Sequence, residues 1–109
     1  MSEAAARLAW ERVLRERIET LLRSLAAGDD APPALRYKAE GCAETGLALG
    51  LVDAHGLAAL LDAIYRETTG ATIADYAGYP AAECIDATRQ RVALPFLMAR
   101  APVYPGSAS

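Results

Sequence analysis

The side chains in this chain that could do chemistry include two cysteines and one histidine. Cys42, Cys84 and His55 could supply the nucleophile and base of a thiol enzyme, or part of a metal site. A reactive thiolate needs a neighbouring base or positive charge, and Asp53 or Glu44 could orient the histidine. Zinc requires four ligands at recognisable spacing, but the sequence contains no CxxC or HExxH motif. We therefore expect two reduced, mostly buried structural thiols, with no metal, no cofactor and no catalytic residue.

Charged side chains at helical spacing are a second group of candidates. Glu40 and Glu44 lie one turn apart, where paired carboxylates can serve acid–base chemistry or a di-metal centre. Such centres need Glu-x-x-His pairs, which the sequence lacks, so we expect these carboxylates on a solvated or interfacial ion-pair face. Near the N-terminus, a stripe of arginines that could bind phosphate is interleaved with glutamates that cancel its field. The arginines are Arg12, Arg15, Arg17 and Arg23, and the glutamates are Glu11, Glu16 and Glu19.

The composition limits the classes of function. The chain has 109 residues, 53% of them hydrophobic and 23% charged, which suits a single globular domain with its own core. Its net charge of −3 disfavours binding to nucleic acid through bulk charge. The longest strongly apolar stretch, residues 47–52, is too short to span a bilayer, and the N-terminus lacks the pattern of a signal peptide. We expect a cytoplasmic protein with no membrane partner, and its Arg- and Ala-rich composition is typical of a GC-rich bacterial genome.

The elements that must position these side chains are helices, and the first is long. A helix is predicted from the N-cap Ser2 to Ala27, a run that contains no Gly or Pro. It would measure nearly 40 Å at about 1.5 Å per residue. Its apolar stripe consists of Trp10, Leu14, Ile18, Leu21 and Leu25, widened by Val13 and Leu22. A helix of this length would extend past its neighbours, so we predict that the surplus stripe is buried against a second copy in a homodimer.

Two further helices are predicted to form an αα-hairpin. The second helix covers residues 33–51, and the third begins after the N-cap Asp53 and ends at Gly70. Gly46 and Gly50 lie four residues apart on the apolar face of the second helix. Because glycine inside a helix costs about 1 kcal/mol relative to alanine, this pair predicts close packing of another backbone, within the protomer or across a dimer.

The C-terminal third of the chain is predicted to have less regular structure. Thr72 is expected to cap a short turn, and Pro80 to open a fourth helix that ends by Ala93, before Pro95. No strand pattern is strong enough to predict a sheet. The inward-facing residues of the fourth helix would be Ile85, Thr88 and Val92, with Cys84. Residues 1–93 are thus expected to form an all-α helical domain of about four helices, and residues 94–109 an extended, proline-containing arm.

The arm is too apolar for a solvated tail, so it should pack on its own helices or on a partner. The candidate partner-binding residues are Trp10, Leu14 and Ile18 of the first helix and Phe96, Met98, Val103 and Tyr104 of the arm. These features predict a non-enzymatic protein-interaction or regulatory module, of the adaptor or inhibitor type and homodimeric, with no evident small-molecule substrate. The alternatives are a nucleic-acid-associated regulator that uses the arginines of the first helix and, less favoured, a small thiol-dependent enzyme.

Overall fold

A computed structural model describes residues 2–28 and 32–97 and confirms the all-α class. The helices are α1 (Glu3–Ala26), α2 (Pro33–Ala48), α3 (Ala54–Thr69) and the short α4 (Ile73–Ala77). A 3-10 helix (Ala81–Cys84) and a two-stranded antiparallel hairpin, β1 (Ile85–Asp86) and β2 (Arg91–Val92), follow them. No helix within the described ranges is both long and apolar enough to cross a membrane.

The ends of α1 and α3 follow the local signals in the sequence. The Ser2 hydroxyl accepts a hydrogen bond from the backbone N–H of Ala5, at 3.1 Å, and so caps α1. The Asp53 carboxylate does the same for α3, accepting from Gly56 N at 2.7 Å. Gly70 ends α3 in the left-handed conformation, at φ +81°. These predicted boundaries are confirmed.

The apolar stripe of α1 is buried within the chain. Helix α1 packs against α2 and α3, and its buried side chains are Trp10, Leu14, Ile18, Leu21 and Leu22. They join a single core cluster with α2, α3 and the C-terminal elements. Two large apolar side chains of α1 stay exposed: Leu8, which lies off this stripe, and Val13, which widens it and is 39% exposed. The other helices of the same chain therefore cover the stripe from Trp10 to Leu22, and the predicted homodimer stays a prediction.

The two glycines predicted to share a face of the second helix have different roles. Trp10 lies directly on Gly46, so that a Cβ at this position would overlap the indole ring. Close packing at Gly46 thus occurs within the protomer, but against a side chain rather than the predicted backbone. The indole N–H also donates to the Cys42 carbonyl at 2.7 Å. Gly50 lies beyond the helix, at φ +70°, and has no close neighbour. With Leu51 N–H bonded to the Gly46 carbonyl, it ends α2 at Ala48 rather than at the predicted Leu51.

The predicted fourth helix over residues 80–93 is wrong, although the short capped turn at Thr72 exists as α4. Asp86 accepts a hydrogen bond from Arg89 N at 3.0 Å, which closes a turn and allows β1 to pair with β2. Aspartate favours such turns, and the β-branched Ile85 and Val92 favour strands over helix. Of the residues expected to face inward, Cys84 and Val92 are buried, Ile85 is half-buried and Thr88 is exposed.

Candidate functional site

Residues 91–97 form a segment, here called the strap, that two glutamates of α2 hold in place. The Glu44 carboxylate accepts a hydrogen bond from Val92 N at 2.9 Å. One turn earlier, Glu40 accepts from Leu94 N at 2.7 Å. Leu94 and Leu97 are almost fully buried, with 1% and 3% of their surface exposed. The first residues of the predicted arm therefore pack on the chain's own helices.

The two glutamates are more deeply engaged than a solvated ion-pair face would require. Glu40 is 9% exposed and also pairs with Arg36, at 3.0 Å between Nη1 and Oε2. Glu44 pairs with the exposed Arg91 at 3.4 Å. The ion pairs exist as expected, but the principal partners are backbone N–H groups about 50 residues further along the chain. Each carboxylate is thus occupied in holding the strap, which leaves it unsuited to acid–base chemistry.

Four aromatic side chains meet where the strap crosses α3 and α4, and we call this group the aromatic patch. Phe96 lies 5.9 Å from Tyr65, 6.2 Å from Tyr76 and 6.3 Å from Tyr79, measured between ring centroids, in edge-on geometry. Tyr65 and Tyr76 are also in contact, at 5.8 Å. Tyr65 is buried, Phe96 and Tyr79 are half-buried, and Tyr76 is 41% exposed. The patch therefore has a buried base and an exposed aromatic surface.

The structure separates the residues predicted to bind a partner into three groups. Trp10, Leu14 and Ile18 lie in the core, 8%, 0% and 2% exposed, and are covered by this chain rather than offered at its surface. Phe96 lies in the aromatic patch. The remaining three, Met98, Val103 and Tyr104, lie outside the described residues. From the sequence, the three patch tyrosines are of a type common at interfaces, but they are interpreted as half-buried residues at the rim of the core and not as partner-binding residues.

The pKa values of both thiols are shifted in the direction that lowers their reactivity. Burial raises the pKa of the Cys84 thiol to about 11, and the neighbouring Glu83 adds to this rise. Burial also raises the pKa of the Cys42 thiol, although the positive charge of Arg17 opposes it. A nucleophilic thiol needs the opposite shift. Within residues 2–28 and 32–97, no group of three His, Cys, Asp or Glu side chains is placed to hold a metal ion.

The arginines of α1 are divided between paired and unpaired side chains. Arg7 binds Glu11 and the Leu51 carbonyl, and Arg15 binds Glu67 of α3. The remaining arginines of this helix, Arg12, Arg17 and Arg23, form no ion pair with the residues that the structure describes. The stripe therefore does not act as one continuous basic surface.

Comparison with known proteins identifies no relative. The chain matches no family model, no curated protein and no solved structure.

Proposed function

We propose that this protein is a non-enzymatic interaction or regulatory module, of the adaptor or inhibitor type, that binds a protein partner through the aromatic patch. The observation that carries the proposal is the cluster of three tyrosines around Phe96, with Tyr76 at the surface. Tyrosine and phenylalanine are enriched in protein interfaces, and tyrosine is among the residues that contribute most to their binding energy.

The strap supports this role because it fixes the patch before any partner binds. Phe96 lies between two buried anchors, Leu94 and Leu97, and the backbone of Leu94 is bonded to Glu40. Aromatic anchors that are already ordered lose little conformational entropy on binding. A partner would therefore meet a preformed aromatic surface.

The test compares two exposed tyrosines. Tyr76→Ser removes the exposed ring of the patch, whereas Tyr37→Ser removes a ring on α2 that is 59% exposed and lies outside it. Wild type and both variants would be run in sedimentation experiments and used to capture proteins from host lysate with and without nuclease. We expect the partner, or the second copy of a homodimer, to be lost with Tyr76→Ser and retained with Tyr37→Ser.

Circular dichroism controls for folding, since Tyr76→Ser removes two ring contacts, with Tyr65 and Phe96. Each contact contributes about 0.5–1.5 kcal/mol beyond the lost buried area. Sedimentation distinguishes the homodimer from a different protein partner. Equal binding by Tyr76→Ser and wild type would contradict the proposal, as would a wild type that is monomeric and captures nothing. Partners that disappear on nuclease treatment would instead favour the nucleic-acid alternative.

A further inference from the structure

A groove runs between the C-terminal half of α1 and the N-terminal half of α2. Its volume is about 370 Å³, within the range of small-molecule sites. The residues that line it are Glu16, Arg17, Thr20 and Arg23 from α1, and Leu35 and Lys38 from α2. None of them belongs to the aromatic patch or the strap. The groove is therefore a second surface, separate from the one proposed to bind a protein.

The cations of this groove lack partners within the described part of the chain. Arg17, Arg23 and Lys38 form no ion pair there, while five other arginines do. All three side chains belong to exposed residues. In a chain of net charge −3, carboxylates outnumber cations, so three unpaired cations at one groove are not explained by a shortage of anionic side chains. Together they create a local positive field in an acidic protein.

Two further features of the groove favour an anion. The hydroxyls of Thr45, Thr68 and Thr69 each donate to a carbonyl of their own helix, but Thr20 makes no such bond among the described residues. The groove also reaches the first turn of α2 at Leu35, where the N-cap Pro32 supplies no side-chain acceptor. The positive end of the α2 dipole therefore adds to the field of the three cations.

The same lining restricts what kind of anion fits. Glu16 contributes one negative charge, which disfavours an extended polyanion along the groove. Three cations and a hydroxyl offer more donors than the two oxygens of one carboxylate can use, whereas a phosphate monoester has three terminal oxygens. Leu35 provides an apolar wall beside them. These features match a small organic molecule that carries a phosphate group.

We propose that the α1–α2 groove binds a small phosphomonoester, whose phosphate contacts Arg17, Arg23 and Lys38 and whose organic part lies against Leu35. This goes beyond the proposed protein-binding function, since the two surfaces share no residue. Either surface can therefore fail its test without affecting the other.

The test uses inorganic phosphate first, in a ¹H–¹⁵N NMR titration at pH 7.5 against sodium chloride of equal ionic strength. We expect saturable shifts of the Thr20 and Lys38 amides with phosphate and not with chloride. Arg17→Gln and Lys38→Gln should each weaken binding about tenfold or more, the contribution of one charge-assisted hydrogen bond. Arg12→Gln is the matched control, because it removes an exposed, unpaired α1 cation outside the groove and should change binding less than twofold.

Two further ligands identify the source of the phosphate. Glycerol phosphate should bind more tightly than inorganic phosphate, since it adds contact with Leu35. A phosphoserine peptide that binds more tightly than glycerol phosphate would overturn the small-molecule assignment in favour of a phosphorylated protein. Shifts that do not saturate, that chloride reproduces, or that Arg12→Gln weakens as much as Arg17→Gln would overturn the site itself.

Discussion

The N-terminal and C-terminal parts of the molecule are held together in different ways. Helices α1 and α2 pack through continuous helical faces, with Trp10 against Gly46, and each helix satisfies most of its own backbone hydrogen bonds. The strap pairs with β1 only through two residues, and the N–H groups of Leu94 and Val92 donate to Glu40 and Glu44 instead of to a strand. Helix α2 therefore supports both regions, with small residues towards α1 and carboxylates towards the strap. The first region depends on shape and the second on a few charged hydrogen bonds.

The sharpest way to separate the two regions is Glu40→Ala. This change leaves the buried Leu94 N–H without its acceptor and Arg36 without its counter-charge. We expect the free energy of unfolding to fall by about 3 kcal/mol, the range for removing one partner of a largely buried charged interaction. Urea denaturation measures the loss, and amide hydrogen exchange should show the strap opening before α1 and α2.

Glu44→Ala is the control for that change. Glu44 also accepts from the strap, but its side chain is 29% exposed and its partner Arg91 is 74% exposed, so water can replace much of what is lost. We expect Glu44→Ala to lower the free energy of unfolding by about 1 kcal/mol. An equal cost for both variants, or exchange that is unchanged in the strap of Glu40→Ala, would show that apolar burial rather than Glu40 holds this segment.

The same contrast explains which features could be predicted from the sequence. Helices α1 and α3 can be predicted from local sequence, since Ser2, Asp53 and Gly70 lie at their ends and apolar residues recur at helical spacing. The strap has no such signal, because the Glu40–Leu94 bond joins residues 54 positions apart. The need to bury Phe96 could be recognised from the sequence, but its contacts with the three tyrosines could not. The only sequence signal that Glu40 would be buried is weak: it lies next to the small-residue face of α2.

The cysteines provide a chemical comparison of the two regions. Burial raises the pKa of the Cys84 thiol from 9.0 to about 11, which lowers its thiolate fraction at pH 8 by roughly a hundredfold. Cys42 is half-buried, and Arg17 opposes the rise in its pKa. The variant Cys42→Ser leaves Cys84 as the single thiol, and Cys84→Ser leaves Cys42. We expect maleimide to label Cys84 in the first variant more slowly than Cys42 in the second. Both thiols should react more slowly than free cysteine.

The pH dependence of unfolding should agree with this order. The Cys84 pKa is higher in the folded than in the unfolded chain, so the unfolded state loses its proton first as pH rises. The stability linked to Cys84 is therefore complete below about pH 9 and is lost as pH rises towards 11. Cys84→Ser should remove this part of the alkaline decline. Rapid labelling of Cys84 in the folded protein at pH 8 would contradict its burial and revive the thiol-enzyme alternative.

The smallest predicted effect concerns how closely α1 and α2 pack, and it compares two glycines of α2. At Gly46 a Cβ would overlap the Trp10 indole, whereas at Gly41 it would meet nothing within 4 Å. Both changes to alanine gain about 1 kcal/mol of helix propensity. At Gly46 the gain is offset by overpacking, which costs about 1–3 kcal/mol, and by strain on the Trp10 hydrogen bond to the Cys42 carbonyl.

We therefore expect Gly41→Ala to stabilise the protein by up to about 1 kcal/mol and Gly46→Ala to destabilise it by about 1 kcal/mol. Thermal unfolding gives both values, and Trp10 fluorescence, from the single tryptophan of the chain, should shift in Gly46→Ala alone. Two stabilised variants with the same fluorescence would mean that the indole can move aside at little cost. The α1–α2 interface would then tolerate changes in shape, and the contrast with the strap would rest on charge alone.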